Sequence, residues 1–190
     1  AMQIFDHYKE TTLDVITDNP YQLVEDIQGI GFKIADQLAE QLGIADDSPK
    51  RFRAALLHCL LNICMNSGDT YVEARRLLEE TLTLLEQSRQ IEIDPALVAN
   101  ELTQLINDEK IQHVETKIFD NSLYFSEAGI QKQLHRILNF ELKNLSSDER
   151  IEKKLQKVEK ELGISYDSIQ RQAIRDALSS KVFILTGGPG

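Results

Sequence analysis

The 190 residues carry 42% hydrophobic and 27% charged side chains, the balance of a soluble globular protein, which excludes a disordered or fibrous chain. No apolar run approaches the length of a membrane span, and the opening AMQIFDHY lacks the basic and apolar regions of a secretory leader, so a cytoplasmic protein with no membrane contact is expected. The formal net charge of −10 excludes a broad basic field for nucleic acid, but it is uneven: residues 1–68 hold 5 basic against 10 acidic side chains, 69–130 hold 5 against 13, and 131–190 hold 11 against 8.

Ala1-Met2 reads as a cloning remnant, and residues 3–17 predict one or two short helices with Ile4, Phe5, Tyr8, Leu13, Val15 and Ile16 as their apolar set. The stretch 19–43, NPYQLVEDIQGIGFKIADQLAEQLG, predicts two short helices joined by a hairpin. Asn19 is placed to cap the first, with Pro20 at its first position and Gln22 as a capping-box partner. The second, 32–42, carries Ile34, Ala35, Leu38, Ala39 and Leu42 at helical spacing and stops at Gly43. Between them Gly29-Ile30-Gly31 lets the backbone approach a ligand closely, while the next helix turns unpaired N–H groups to the same point. That combination suits a phosphate oxygen. With Lys33 and Ala35-Asp36 following, the stretch resembles a helix-hairpin-helix element, which implies sequence-independent contact with a DNA backbone through Gly29, Ile30, Gly31 and Lys33. A hairpin that only packs is the alternative.

Ser48-Pro49 predicts the start of a long helix, 49–65, with Phe52, Ala55, Leu56, Cys59, Leu60 and Ile63 as its stripe. Cys59 and Cys64 read as buried thiols, and no His or Cys stands at metal-site spacing. Lys50, Arg51 and Arg53 occupy first turns that the helix dipole reserves for acidic residues. They form either a second phosphate clamp or a solvated turn balanced by Asp46 and Asp47.

Residues 70–72 predict an extended piece, followed by helices 74–87 and 95–108, the latter capped by Asp94 with Pro95 first. Ile111, Val114 and Ile118-Phe119, then Asp120-Asn121-Ser122 and Leu123-Tyr124-Phe125, predict a β-hairpin turning at 120–122. Strand, helix, helix, hairpin is the order of a winged helix. Helix 95–108 contains Glu101 and Asp108 and no basic residue, so this unit is expected to be structural. Ser126 predicts a helix over 127–145, with Ile130, Leu134, Ile137, Leu138 and Leu142 on its buried side. Ser146 and Glu149 cap another that reaches Leu162. On it Lys153, Lys154, Lys157 and Lys160 alternate with Glu152, Glu159 and Glu161, which reads as a salt-bridged solvent face.

The last stretch, YDSIQRQAIRDALSSKVFILTGGPG, predicts a helix over 167–178, a buried strand at Val182-Phe183-Ile184-Leu185, and the opening of a phosphate-binding loop at Gly187, Gly188, Pro189 and Gly190. The lysine and hydroxyl residue of that loop would fall beyond Gly190, so the strand is expected to be poorly held. Gln170-Arg171-Gln172-Ala173-Ile174 matches QxxAI at the distance found in superfamily 1 helicases. That resemblance implies Gln170 as the reader of the adenine edge.

Taken together, the hairpin, GDTYVEARRLL and the QxxAI segment resemble the N-terminal region of RecD-like DNA helicases of the RecD/TraA type. Gly68-Asp69-Thr70 departs from the Gly-His-Thr usual there. The resemblance implies an accessory DNA-binding region of an ATP-dependent 5′ to 3′ helicase of repair or recombination, requiring ATP and Mg2+ in the whole enzyme, with none bound and no catalysis in this stretch. Its partner would be single-stranded or forked DNA, held weakly. A mainly α fold is expected: a helix-hairpin-helix region over 1–68, a winged-helix-like unit over 69–126, connecting helices over 127–163, and the start of a RecA-like ATPase domain over 164–190. The alternatives are a non-enzymatic protein-interaction module or part of another P-loop NTPase.

Overall fold

The computed structural model describes residues 2–27, 29–141 and 148–187. The chain divides into two compact units, Ala1–Glu127 and Ala128–Gly190. It is mainly helical, with one small antiparallel sheet.

The first unit opens with α1 (Met2–Tyr8), a 3-10 turn (Lys9–Thr11) and α2 (Thr12–Asp18). Helix α3 (Gln22–Asp26) starts later than the capping pattern predicts, because Asn19 does not cap it: Asn19 Oδ1 is buried with no partner among the described residues. Pro20 and Tyr21 instead form a turn closed by Gln22 N–H donating to the Asn19 carbonyl at 3.1 Å. Helix α4 (Phe32–Gln41) ends as expected at Gly43, whose φ of +79° favours glycine, with Ile44 N–H donating back to the Ala39 carbonyl. Its inner face, however, is Phe32, Ala35, Asp36 and Ala39, while Ile34 is 57% exposed. The apolar stripe is displaced because the carboxylate of Asp36 finds enough donors to occupy a core position.

Helix α5 (Pro49–Ser67) is the spine of the unit. Pro49 fills the first position and Gly68, at φ +74°, ends it. Its buried stripe Phe52, Ala55, Leu56, Cys59, Leu60 and Cys64 packs against α4, then α6 (Ala74–Arg89) and α7 (Pro95–Asn107). Both thiols are buried. Strand β1 (Tyr71–Glu73) runs directly into α6, and Asp94 caps α7 by accepting from Ala96 N–H at 2.9 Å. Strands β2 (Ile111–Val114) and β3 (Lys117–Asp120) complete a sheet of order β1-β3-β2, all antiparallel. One hydrophobic cluster runs from Tyr21 through α5 to Ile118. Each fully buried leucine or isoleucine in it, such as Leu56, Leu77 or Ile118, contributes about 1.5–3 kcal/mol.

The hairpin turns at Glu115-Thr116, with Val114 paired to Lys117, and not at 120–122. Asp120-Asn121-Ser122 is instead a helix start. Asp120 Oδ1 accepts from Ser122 N–H (2.8 Å), Leu123 N–H (3.3 Å) and the Ser122 hydroxyl, so Leu123, Tyr124 and Phe125 lie in α8 (Asn121–Asn139). An aspartate before polar residues serves a turn and an N-cap equally well. Helix α8 therefore begins six residues before the expected 127. Ile130, Leu134 and Leu138 stand exposed, because no described element packs over them; Leu142 and Ser146 lie outside the described residues.

In the second unit α9 (Asp148–Leu162) lies against α10 (Ser168–Ser179). Ile151 and Leu155 are buried. Residues 182–185 form no strand, and Ile184 and Leu185 are 80% and 76% exposed. An apolar run becomes a strand only beside a neighbour that satisfies its N–H and C=O groups, and the described residues supply none.

Candidate nucleic-acid interface

Between α3 and α4 the chain turns sharply on a few hydrogen bonds. Ile27, buried, accepts from Ile30 N–H at 3.2 Å. Gly29 takes φ +95°, which an L side chain adopts only under strain. Gly31 stands at φ −86°, ψ 167°, ordinary extended backbone, as the N-cap of α4. Among the described residues other than the adjoining ones, no atom lies within 4 Å of where a Cβ would stand on either glycine. The hairpin is therefore open on its outer side. Gly29 serves the turn, whereas none of the described residues requires glycine at 31.

The first helical bonds of α4 run from Ile34 and Ala35 N–H to the Gly31 carbonyl, at 3.1 and 3.3 Å. The amides of Phe32 and Lys33 come before the first residue that a helix can bond internally, and no acidic side chain occupies the first turn. Lys33 is exposed and makes no ion pair with any described residue. Open space beside both glycines, the positive end of a helix dipole and the exposed Lys33 thus meet at one turn, while Phe32 itself is only 1% exposed. Gln28 lies outside the described residues.

Beneath this point the hairpin is anchored by a buried polar network. Phe32 stacks on Tyr21 with centroids 5.8 Å apart and lies 6.0 Å from His58. Asp36 and Arg51 are both 0% exposed. Asp36 Oδ1 accepts from Tyr21 Oη (2.7 Å), Arg51 Nε (2.9 Å) and Arg89 Nη2 (2.9 Å), and Oδ2 accepts from Arg51 Nη2 (3.0 Å) and Ser88 Oγ. Arg51 also donates to the carbonyls of Asp46 and Leu85, and Arg89 to the Ile44 carbonyl and the Asp46 carboxylate. One carboxylate therefore ties both hairpin helices to α5 and α6. Burial alone would raise the Asp36 pKa, but the bonds from Arg51, Ser88 and Tyr21 hold it below the ordinary carboxylate range. Burial and the bond to Asp36 push the Tyr21 phenol well above its ordinary value. Burial lowers the His58 pKa, favouring the neutral ring.

The three basic residues of the first turns of α5 are all engaged within the protein, and they differ in exposure. Arg51 is enclosed in the network and presents no surface to a ligand. Arg53 donates to Glu101 of α7 (2.6 Å) and to Asp108 just past its end (3.0 Å), and Lys50 Nζ to the Asp18 carbonyl (2.7 Å) and carboxylate (3.1 Å). The alternative of a solvated turn balanced by Asp46 and Asp47 fits only in part: Arg51 reaches the Asp46 carbonyl, but the ion-pair partners of the turn are Asp18, Asp36, Glu101 and Asp108. Spacing along α5 could not reveal this: Asp36 is 15 residues away and Glu101 48. Arg89, Ser88 and Tyr21 carried no signal in the sequence beyond their types.

At the other end, Gln170 is the third residue of α10 and closes a capping box: Asp167 accepts from Ile169 and Gln170 N–H, and Gln170 Oε1 accepts from Asp167 N–H at 3.1 Å. Gln172 is engaged with Asp176. Gly187 ends the described chain, and Gly188, Pro189 and Gly190 lie outside it. Among the described residues no cluster of three or more His, Cys, Asp or Glu could hold a metal ion, and no helix is long and apolar enough to cross a membrane.

Residues 1–71 match the family model of the ATP-dependent RecD2 DNA helicase HHH domain, where HHH denotes helix-hairpin-helix. That span takes in α1 to α5 and stops where β1 begins, so it contains the hairpin and the network members Tyr21, Asp36, Asp46 and Arg51. The hairpin geometry and this match agree: residues 1–71 are similar to the helix-hairpin-helix domain of RecD2-type DNA helicases.

Proposed function

We propose that this region holds DNA by its sugar–phosphate backbone as an accessory part of an ATP-dependent helicase. The observation that carries the reading is the open hairpin, where Gly31 borders open space and the exposed Lys33 stands in the first turn of α4. Such a site senses phosphate and not bases, so binding is independent of sequence. The parent enzyme acts in repair or recombination and moves 5′ to 3′ on single-stranded or forked DNA; these finer assignments rest on the resemblance to RecD-like helicases.

The nucleotide end is part of the same proposal, with residues 164–190 as the start of a RecA-like ATPase domain. Gln170 fits an adenine edge: its Nε2 is uncommitted, and its Oε1, which already accepts once, keeps a second lone pair. Gly187 would be the first glycine of the phosphate loop. ATP, with Mg2+, supplies the free energy of translocation in the whole motor. In calorimetry the 190-residue chain should give no heat of tight ATP binding, because residues 182–185, which lead to Gly187, form no strand to hold a phosphate loop.

The test of the hairpin is Gly31→Val, read by fluorescence anisotropy with single-stranded, duplex and forked DNA at low salt. The structure accepts the added side chain without strain, so the variant should melt like the parent yet bind about tenfold more weakly, as the loss of one to two charge-assisted hydrogen bonds would cause. Unchanged affinity would refute the clamp. An absence of binding by the parent to all three DNAs would favour the protein-interaction alternative.

A further inference from the structure

Helix α9 has nearly balanced charge in sequence, but the folded unit sorts the two signs. At about 100° per residue, Ile151, Leu155 and Val158 define its inner side, with Glu152 and Glu159 on one flank. Both carboxylates turn to α10. Glu152 accepts from Arg171 (2.6 Å) and Arg175 (3.2 Å), and Glu159 from Arg171 (2.5 Å) and from Tyr166 N–H (2.8 Å). They are therefore spent on the contact between the helices and cannot neutralise the lysines. Among the charged residues of α9 whose side chains are described, what remains exposed is Arg150, Lys153, Lys154, Lys157 and Lys160 against two carboxylates, Glu149 and Glu161. Glu161 lies 3.7 Å from Lys157 in an exposed pair that water and salt readily loosen.

Five cations along roughly 15 Å of helix form a local positive ridge on a chain of net charge −10. We propose that this ridge is a second nucleic-acid contact, binding a run of DNA phosphates by charge alone. It rests on the reading of the protein as DNA-binding, but on different residues and different physics from the hairpin. The hairpin offers mainly amides, which release no counterions; the ridge neutralises phosphates and releases them, so it dominates the salt dependence. An acidic polypeptide would match the same charge, but DNA is the polyanion that the hairpin already calls for.

The experiment uses the full chain, a fluorescein-labelled oligothymidine and a mixed-sequence duplex, with affinity measured across a salt series. Changing Lys153, Lys157 and Lys160 together to Gln should reduce the slope of log K against log salt by about 2 on the single strand, at roughly 0.7 per phosphate, with about tenfold weaker binding at low salt. The same three positions changed to Arg should restore both. Gly31→Val should lower affinity and leave the slope unchanged. Circular dichroism should show unaltered helicity, since all three lysines are exposed. An unchanged slope in the Gln variant, or the same loss in the Arg variant, would overturn the proposal even if Gly31→Val abolished binding. A wild-type chain that binds labelled poly-glutamate but not DNA would overturn it in favour of an acidic protein partner. If Gly31→Val binds normally while the Gln variant loses slope, the ridge stands and the hairpin reading falls.

Discussion

Asp36 occupies a core position and balances two arginines, so its charge matters more than its volume. Asp36→Asn leaves the Arg51 and Arg89 guanidinium groups enclosed without a full counter-charge, and should cost about 3–5 kcal/mol at neutral pH by urea titration. Because its pKa in the folded protein lies below the unfolded value of about 3.9, the stabilisation is complete above that pH and is lost as pH falls further. The Asn variant should therefore show a shallower acid limb between about pH 5 and 2. Tyr21 has the opposite sign. Its pKa is raised on folding, so its contribution is complete below about pH 10 and disappears as pH rises beyond, when the phenol ionises in the unfolded chain. Tyr21→Phe should lose about 1 kcal/mol and flatten that alkaline limb. The two hairpin glycines separate cleanly as well. Gly29→Val forces a β-branched residue to φ +95° and should destabilise by about 1–3 kcal/mol, whereas Gly31→Val should not.

At the scale of elements, periodicity and caps were readable where the pattern was local. Helix α5 has the expected stripe, and Asp94 and Gly43 act as the caps that their types imply. The errors share one physical cause, a choice between two local solutions that only neighbours settle. Asp120-Asn121-Ser122 could close a hairpin or start a helix; β3, already paired on both sides to β1 and β2, leaves no room for 123–125 as a further strand. Asp120→Ala should accordingly cost about 1 kcal/mol in thermal or urea unfolding, as the loss of an N-cap does, without altering the β2–β3 register. In α4 the hydrophobic count favoured Ile34 and Leu42, but a satisfied carboxylate displaced the buried face by a fraction of a turn.

Over the whole molecule, the cluster from Tyr21 to Ile118 makes the hairpin, α5 and the sheet parts of one unit. Residues 1–127 produced alone should unfold in a single cooperative transition and keep the hairpin's DNA affinity, with a flatter salt dependence because α9 is absent; calorimetry and anisotropy would check both. The sequence by itself determined the helix-rich class, the hairpin with its glycines, the spine helix and the family resemblance, because each rests on spacing within about twenty residues. Only the tertiary structure decided what the charges do. Arg51 became a buried strut, Arg53 a tie to α7, and the carboxylates of α9 an internal seam that leaves its lysines outward. Those outcomes depend on partners 12 to 55 residues away along the chain, whose approach no local pattern encodes.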